Sequence, residues 1–236
     1  MAEQEEWFLW RDGSRSPYEN MAIDELLLLR ATELARPLIR IYDWNRPSVS
    51  IGYVQKYEAA PQQGYTIVRR PTGGGVVFHN VDLTYTAVIP AGHAICALDR
   101  MESYRVFHRA ILRLLAHFGH HGQLSPDECG PVDRATMQCF TTPTRYDVVC
   151  DHAKYAGAAQ RRTREGILHQ GSIAIKAADG DKEALAQNLI SSLATEFSLR
   201  WRPFIPTEGF MAAAEELSRN KYAMPEWNVT RSWKSS

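Results

Sequence analysis

Three consecutive glycines at positions 73–75 lie between a basic pair, Arg69 and Arg70, and an apolar run typical of a β-strand. Glycine has no Cβ atom, so this backbone can adopt left-handed angles and bring its N–H groups against a ligand. Amides beside guanidinium groups suit an acyl carbonyl, a carboxylate or a phosphate, because all three accept hydrogen bonds. The segment 69–79 therefore predicts a loop on strand ends that binds a small carbonyl or anionic group, with an ordinary flexible turn as the alternative.

The surrounding sequence disfavours the two common phosphate-binding loops. No Lys-Ser or Lys-Thr follows the glycines, as a Walker loop would require, and the spacing is not Gly-x-Gly-x-x-Gly. Lysine plus arginine equals aspartate plus glutamate at 27 each, which argues against a dedicated nucleic-acid-binding protein. No window approaches the roughly 20 apolar residues that span a bilayer. We therefore expect a cytoplasmic protein that binds neither nucleic acid nor membrane, with residues 1–236 as one domain.

The four cysteines, Cys96, Cys129, Cys139 and Cys150, form no Cys-x-x-Cys pair. A zinc site or a disulfide framework therefore has little support, and reduced thiols are expected. The histidines at 117, 120 and 121 lie at the end of a predicted helix, with no nearby cysteine or carboxylate pair at metal-ligand spacing, so we predict no metal site. One of the thiols remains available as a nucleophile.

Apolar periodicity and turn residues predict strands mixed with helices. The predicted strands are 7–10, 38–44, 49–52, 66–70, 76–79, 83–89, 146–150 and 166–176. The predicted helices are 17–34, 101–118, 182–196 and 207–220. Residues 119–144 show no clear period, which indicates a long functional loop or a set of short pieces.

Several motifs occur in one order along the chain: the glycine loop with His79, then Lys154-Tyr155-Ala156-Gly157-Ala158-Ala159-Gln160-Arg161, with further matches at 20–24, 166–173 and 222–228. Together they resemble the family of lipoate-protein ligases and octanoyltransferases, which shares its fold with biotin protein ligases. The resemblance covers nearly the whole chain. It implies an α/β fold with a mixed, mainly antiparallel β-sheet flanked by α-helices.

The resemblance implies transfer of an octanoyl or lipoyl group from acyl carrier protein, through a cysteine thioester, to a lysine of a lipoyl domain or of the glycine-cleavage H protein. Cys139-Phe140 and Asp82-Leu83-Thr84-Tyr85-Thr86 resemble this cofactor-free transferase branch. The triple glycine followed by Val76-Val77-Phe78 is instead similar to ATP-dependent ligases. Such a ligase would use ATP and Mg²⁺ to form an acyl-adenylate, with an accessory domain on a separate polypeptide. A non-catalytic acyl-binding partner protein is the third alternative.

The resemblance also implies the site residues. Cys139 is the expected nucleophile and Lys154 the cation beside it, because a nearby ammonium lowers a thiol pKa. The expected substrate-binding residues are Arg70, Thr72, Gly73, Gly74, Gly75, His79, Gly157 and Ala158. The alternatives are a buried inert cysteine, a solvated lysine at a turn, and a histidine that only orients the loop. The basic run of Arg161, Arg162 and Arg164 is either a solvated surface or a patch that attracts acidic carrier proteins.

Overall fold

The fold is taken from a computed structural model that describes residues 4–125, 146–150, 153–174 and 181–233. The strands in the described residues are β1 Glu5–Arg15, β2 Leu38–Trp44, β3 Ser48–Ile51, β4 Thr66–Arg69, β5 Val77–His79, β6 Asp82–Pro90, β7 Gln123–Leu124, β8 Val148–Cys150, β9 Ala153–Arg162, β10 Gly166–Ala174 and β11 Leu199–Pro203. The helices are α1 Pro17–Leu29, α2 Ala31–Leu34, α3 Ala94–Ala97, α4 Arg100–His117, α5 Lys182–Phe197 and α6 Glu208–Leu217. Short helical turns lie at Tyr57–Ala59, Ser218–Tyr222 and Glu226–Thr230.

Eight strands form one sheet in the order β11-β1-β2-β6-β10-β9-β8-β7, and β4-β3-β5 form a second, smaller sheet. In the large sheet, β1 is parallel to both of its neighbours and the other pairs are antiparallel. This arrangement confirms the expected α/β fold with a mixed, mainly antiparallel sheet. The central strand β6 is buried along its whole length, and after Asp82 its sequence is a continuous run of apolar and hydroxyl-bearing residues.

The two faces of the large sheet are covered by different helices. On one face, Tyr85 and Ile89 of β6 pack with Phe107 and Leu114 of α4 and with Leu189 of α5. The opposite face lies against α1, which begins with a capping box between Ser16 and Glu19 and has proline at its first position. Successive side chains of a strand point to opposite faces, so the polar residues of β6 face α1 and the small sheet.

The small sheet carries the glycine loop and is anchored by the C-terminal segment. The side chain of Arg69, at the end of β4, is fully buried and donates hydrogen bonds to five backbone carbonyls, those of Gly52, Tyr53, Gln55, Trp227 and Asn228. In return, the indole of Trp227 donates to the Arg69 carbonyl at 3.0 Å. The last turns of the chain therefore fix the strand end from which the loop departs.

Several predicted boundaries were wrong for identifiable reasons. The sequence analysis missed β9 and β11, because β9 is rich in Ala, Gly and charged residues and is a strand only through its pairing with β8 and β10. The first strand does not end at residue 10 as predicted, since a bulge between Arg11 and Ser14 lets it continue beside β2. The single helix predicted at 17–34 is broken at Arg30. Most of the long loop predicted at 119–144 lies outside the described residues.

Candidate active site

A narrow slot lies between the large sheet and the small sheet. Its floor is a row of register partners that crosses four strands: Gly157 of β9, Ser172 of β10, Thr84 of β6 and Tyr42 of β2. Its roof is formed by the small sheet and the glycine loop, through Ser50, Arg70, Gly74, Val77 and His79. Mostly apolar surface lines the slot. Such a cavity suits an acyl chain better than a nucleotide.

Arg70 holds the glycine loop in shape. Its Nη2 donates to the carbonyls of Gly73 and Gly75 at 2.8 and 2.9 Å, and its Nη1 donates to the carbonyl and the hydroxyl of Ser50 at 2.8 and 2.7 Å. Gly74 has a φ of +84°, the left-handed conformation expected from the glycine run. A Cβ atom at Gly52 would lie 2.0 Å from the Gly74 carbonyl oxygen, so the loop packs directly on bare backbone.

A buried polar chain joins the loop to the large sheet and to α1. The Thr72 hydroxyl donates to Gln170 Oε1 at 2.6 Å, and Gln170 Nε2 donates to Asp24 Oδ2 at 2.8 Å. Asp24 also accepts from Arg40 Nη1 at 2.7 Å and from Thr86 at 2.7 Å. Because every one of these groups is buried, their mutual hydrogen bonds fix a single geometry for the loop.

Lys154 lies in β9 beneath one end of the slot. Its Nζ forms a 2.7 Å ion pair with Asp147 Oδ2, and both side chains are almost fully buried. The register of β9 against β8 shifts so that Val148 faces Ala156 while Val149 faces Lys154, which leaves Tyr155 as the extra residue of a bulge. A bulge reverses the alternation of faces along a strand. The side chain of Lys154 therefore lies on the same face of the sheet as the position that a Gly157 side chain would occupy, and it passes over Gly157. A Cβ atom at Gly157 would lie 2.7 Å from that Nζ, so the missing side chain at this position makes room for the ammonium.

A histidine on α4 holds the backbone next to this ion pair. His108 Nδ1 donates to the Tyr146 carbonyl at 2.5 Å, and Tyr146 has a φ of +67° immediately before Asp147. Burial lowers the pKa of His108 from its ordinary value, which favours the neutral ring with its proton on Nδ1. The helix therefore helps to place the carboxylate that partners Lys154.

His79 closes the other end of the slot. Its ring stacks on Trp44 with centroids 3.9 Å apart and planes 14° apart, its Nδ1 lies 2.9 Å from Asp82 Oδ2, and its Nε2 lies 2.6 Å from the Ser50 hydroxyl. Burial alone would raise the pKa of Asp82, but the His79 ring and the hydroxyl donors Ser172 and Thr84 outweigh it, and the pKa is lowered from its ordinary value.

Five of the predicted site residues line this slot: Arg70, Gly74, His79, Gly157 and Ala158. Thr72, Gly73 and Gly75 belong to the glycine loop beside it, and Lys154 contacts Gly157. Cys139 lies outside the described residues, so its role as the nucleophile stays a prediction. Lys154 is a buried strand residue, and the alternative of a solvated lysine at a turn is wrong. Within the basic run, Arg162 donates to the carbonyls of Cys96 and Leu98 inside the protein, whereas the side chain of Arg164 is 93% exposed.

The described residues hold no cluster of three or more metal-ligating side chains and no helix that could cross a membrane. Sequence reasoning missed Asp147, Ser50 and Trp44 as site residues, and it did not assign roles to Asp82 or Gln170. The one local signal was the spacing of Asp82 three residues after His79, which suits a histidine–carboxylate pair. The others depend on strand register and could not be read from the sequence.

Comparison with known proteins gives matches in both sequence and fold. The family model described as "Lipoyl protein ligase A/B catalytic domain" matches residues 16–196. Octanoyltransferase LipM of Kyrpidia tusciae is 37% identical over 190 residues, which cover 76% of this chain and 68% of that protein. Octanoyltransferase LipM of Geobacillus kaustophilus is 30% identical and covers 97% of this chain and 99% of that protein. The bi-partite lipoate protein ligase of Thermoplasma acidophilum has the same fold, with a TM-score of 0.76 at 20% identity over 98% of this chain and 99% of that chain.

Proposed function

The chain belongs to the family of lipoyl protein ligase A/B catalytic domains, and from this premise we propose that it transfers an octanoyl group from acyl carrier protein to a lysine amine, through a thioester on Cys139. The acceptor is a lipoyl domain of a 2-oxoacid dehydrogenase or the glycine-cleavage H protein, and the reaction takes place in the cytoplasm. Several octanoyltransferase relatives favour this activity over the ligase alternative.

The observation that carries the proposal is the buried Lys154–Asp147 pair at one end of an apolar slot. A buried ammonium costs considerable solvation free energy, and a stable fold tolerates it where it is paired with an anion. Beside Gly157, which lines the slot, the ammonium provides a positive field at the point where an acyl carbonyl would gain negative charge. The glycine loop, held by Arg70, provides backbone at the same end, because Gly74 lies against Ala159 of β9.

Two displacements at the acyl carbon complete the proposed reaction. In the first, the Cys139 thiolate forms a bond to the octanoyl carbon as the thiolate of the carrier leaves. In the second, the neutral lysine amine of the acceptor forms the amide bond as Cys139 leaves as the thiolate, and the proton that the amine loses returns to the Cys139 sulfur. The thioester substrate is already activated, so this route requires no cofactor. The ligase route would instead require ATP and Mg²⁺ to activate a free acid.

Mass spectrometry of the purified protein separates these routes. Incubation with octanoyl acyl carrier protein should add one octanoyl group to the protein, and a later addition of H protein should move that group to the acceptor. Cys139→Ala should abolish both steps. The matched control Cys96→Ala should retain them, because Cys96 only donates to strand carbonyls away from the slot. Full transfer by Cys139→Ala would refute the thioester route, and ATP–pyrophosphate exchange with octanoate would support the ligase.

A further inference from the structure

Three buried side chains at the slot form a hydrogen-bonded array of serine, histidine and aspartate. The Ser50 hydroxyl lies 2.6 Å from His79 Nε2, and His79 Nδ1 lies 2.9 Å from Asp82 Oδ2. Each of the three residues is less than a tenth exposed, and Ser50 and His79 both line the slot. The atoms have the order found in serine hydrolases, where Nε2 accepts the proton of the nucleophile and Nδ1 donates to the carboxylate.

Strand pairing brings the array together from three separate strands. In the small sheet, Ser48 of β3 faces His79 of β5. Ser50 lies two residues further along β3, so Ser50 and His79 are diagonal neighbours on one face of that sheet. Asp82 is the first residue of β6, which belongs to the large sheet. The array therefore joins the two sheets that enclose the slot.

The carboxylate determines which nitrogen of the histidine carries the proton. Burial alone would raise the pKa of Asp82, but the His79 ring and two hydroxyl donors outweigh it, so the pKa is lowered and the group is ionised at neutral pH. An ionised Asp82 accepts the proton on His79 Nδ1, which leaves Nε2 of the neutral ring as the acceptor for the Ser50 hydroxyl. The ring is therefore oriented as a general base for that hydroxyl.

A guanidinium group lies beside the same hydroxyl. Arg70 Nη1 donates to Ser50 Oγ at 2.7 Å, and its Nη2 is fixed by the carbonyls of Gly73 and Gly75. A carbonyl carbon attacked by Ser50 would place its oxygen next to this cation. A donor that is already in position stabilises the negative charge of the tetrahedral intermediate without reorganising first.

We propose that Ser50, His79 and Asp82 form a second catalytic centre, which hydrolyses esters and thioesters of short acyl groups without Cys139. Ser50 is fully buried in the roof of a narrow slot, so only a short acyl group can bring its carbonyl to the hydroxyl. This hydrolysis is an activity additional to the proposed acyl transfer, because its nucleophile is a different residue and its acceptor is water.

The proposed hydrolysis has two steps. In the first, Ser50 Oγ forms a bond to the acyl carbon as its proton passes to His79 Nε2, and the departing alcohol or thiol takes that proton. In the second, water forms a bond to the acyl carbon and gives a proton to His79. Ser50 then leaves and recovers the proton, and the carboxylic acid is released.

The test follows hydrolysis of p-nitrophenyl acetate by the Cys139→Ala variant, in which the Cys139 thiol cannot react with the probe. Adding Ser50→Ala to this variant should lower kcat/KM at least about 100-fold, because general-base activation of a nucleophile contributes at least that factor. Ser48→Ala in the same background is the matched control. Ser48 is a buried serine of the same strand whose hydroxyl donates to the Arg46 carbonyl instead of contacting His79, so the rate should be retained.

Covalent labelling tests the inference without any substitution in the array. Peptide mass spectrometry of the Cys139→Ala protein, after a brief exposure to a fluorophosphonate probe, should locate the added group on Ser50. Labelling that occurs only at other residues would overturn the inference, and so would equal hydrolysis with and without the Ser50 hydroxyl. Octanoyl transfer is measured separately on the unaltered protein, so a loss of transfer there would count against the proposed function and not against this second activity.

Discussion

Adding one methyl group at Gly157 should remove most of the activity while leaving the fold intact. A Cβ atom there would lie 2.5 Å from Lys154 Cε, 2.7 Å from its Nζ and 3.0 Å from Asp147 Oδ1. Ordinary contact begins at 3.4 Å, so the Lys154 side chain must move by about 0.9 Å. The Gly157→Ala substitution therefore tests the position of the ammonium without removing its charge.

A displacement of about 1 Å in a catalytic group costs on the order of 100-fold in rate. We therefore expect kcat for octanoyl transfer to fall about 100-fold, which corresponds to about 2.7 kcal/mol in the activation free energy. Gly157 has no left-handed φ and the ion pair can persist after a small shift, so the free energy of unfolding should change by no more than about 1 kcal/mol.

The assay follows octanoyl transfer to H protein by mass spectrometry, with thermal unfolding measured on the same samples. Gly209→Ala is the matched control, because nothing lies within 4 Å of a Cβ atom at that position in α6. It should retain the rate of the unaltered protein. A Gly157→Ala variant that folds and transfers octanoyl within threefold of the unaltered rate would refute the catalytic placement of Lys154.

Two further predictions concern stability. Gly171→Ala should lower the free energy of unfolding by about 1–3 kcal/mol in chemical denaturation, because its Cβ atom would lie 2.2 Å from the buried ring of Tyr85; an unchanged midpoint would contradict this. Burial lowers the pKa of His169 well below 6.5, so below about pH 6.5 the unfolded chain binds a proton that the native protein does not. The unfolding temperature should therefore be steady above pH 7 and fall between pH 6.5 and 5. The His169→Asn variant should show a shallower fall. Equal slopes in both proteins would show that His169 does not cause the loss of stability.

The parts of the site that depend on local chemistry could be predicted from the sequence. The left-handed angle at Gly74 follows from a glycine run, and β2 was predicted with its observed bounds because its residues are β-branched and aromatic. The Lys154–Asp147 pair could not be predicted, since it depends on a bulge at Tyr155 in a strand that the sequence did not indicate. Strand register depends on pairing between distant parts of the chain, and a shift of one residue moves every side chain of the strand to the opposite face of the sheet.

Glycines in this fold make room for neighbouring side chains, whereas a motif search would connect them only with ligand binding. At Gly157 the missing Cβ makes room for Lys154, and at Gly171, on the neighbouring strand, it makes room for the ring of Tyr85 on the opposite face. In both places a long polar side chain lies flat across a strand, which brings it close to the sheet and away from water. A glycine in the middle of a strand weakens that strand, so its presence requires a compensating contact. At Gly157 the contact is with the Lys154 ammonium, which we propose to act in the reaction. At Gly171 the contact is with the ring of Tyr85, in the hydrophobic core beneath the site.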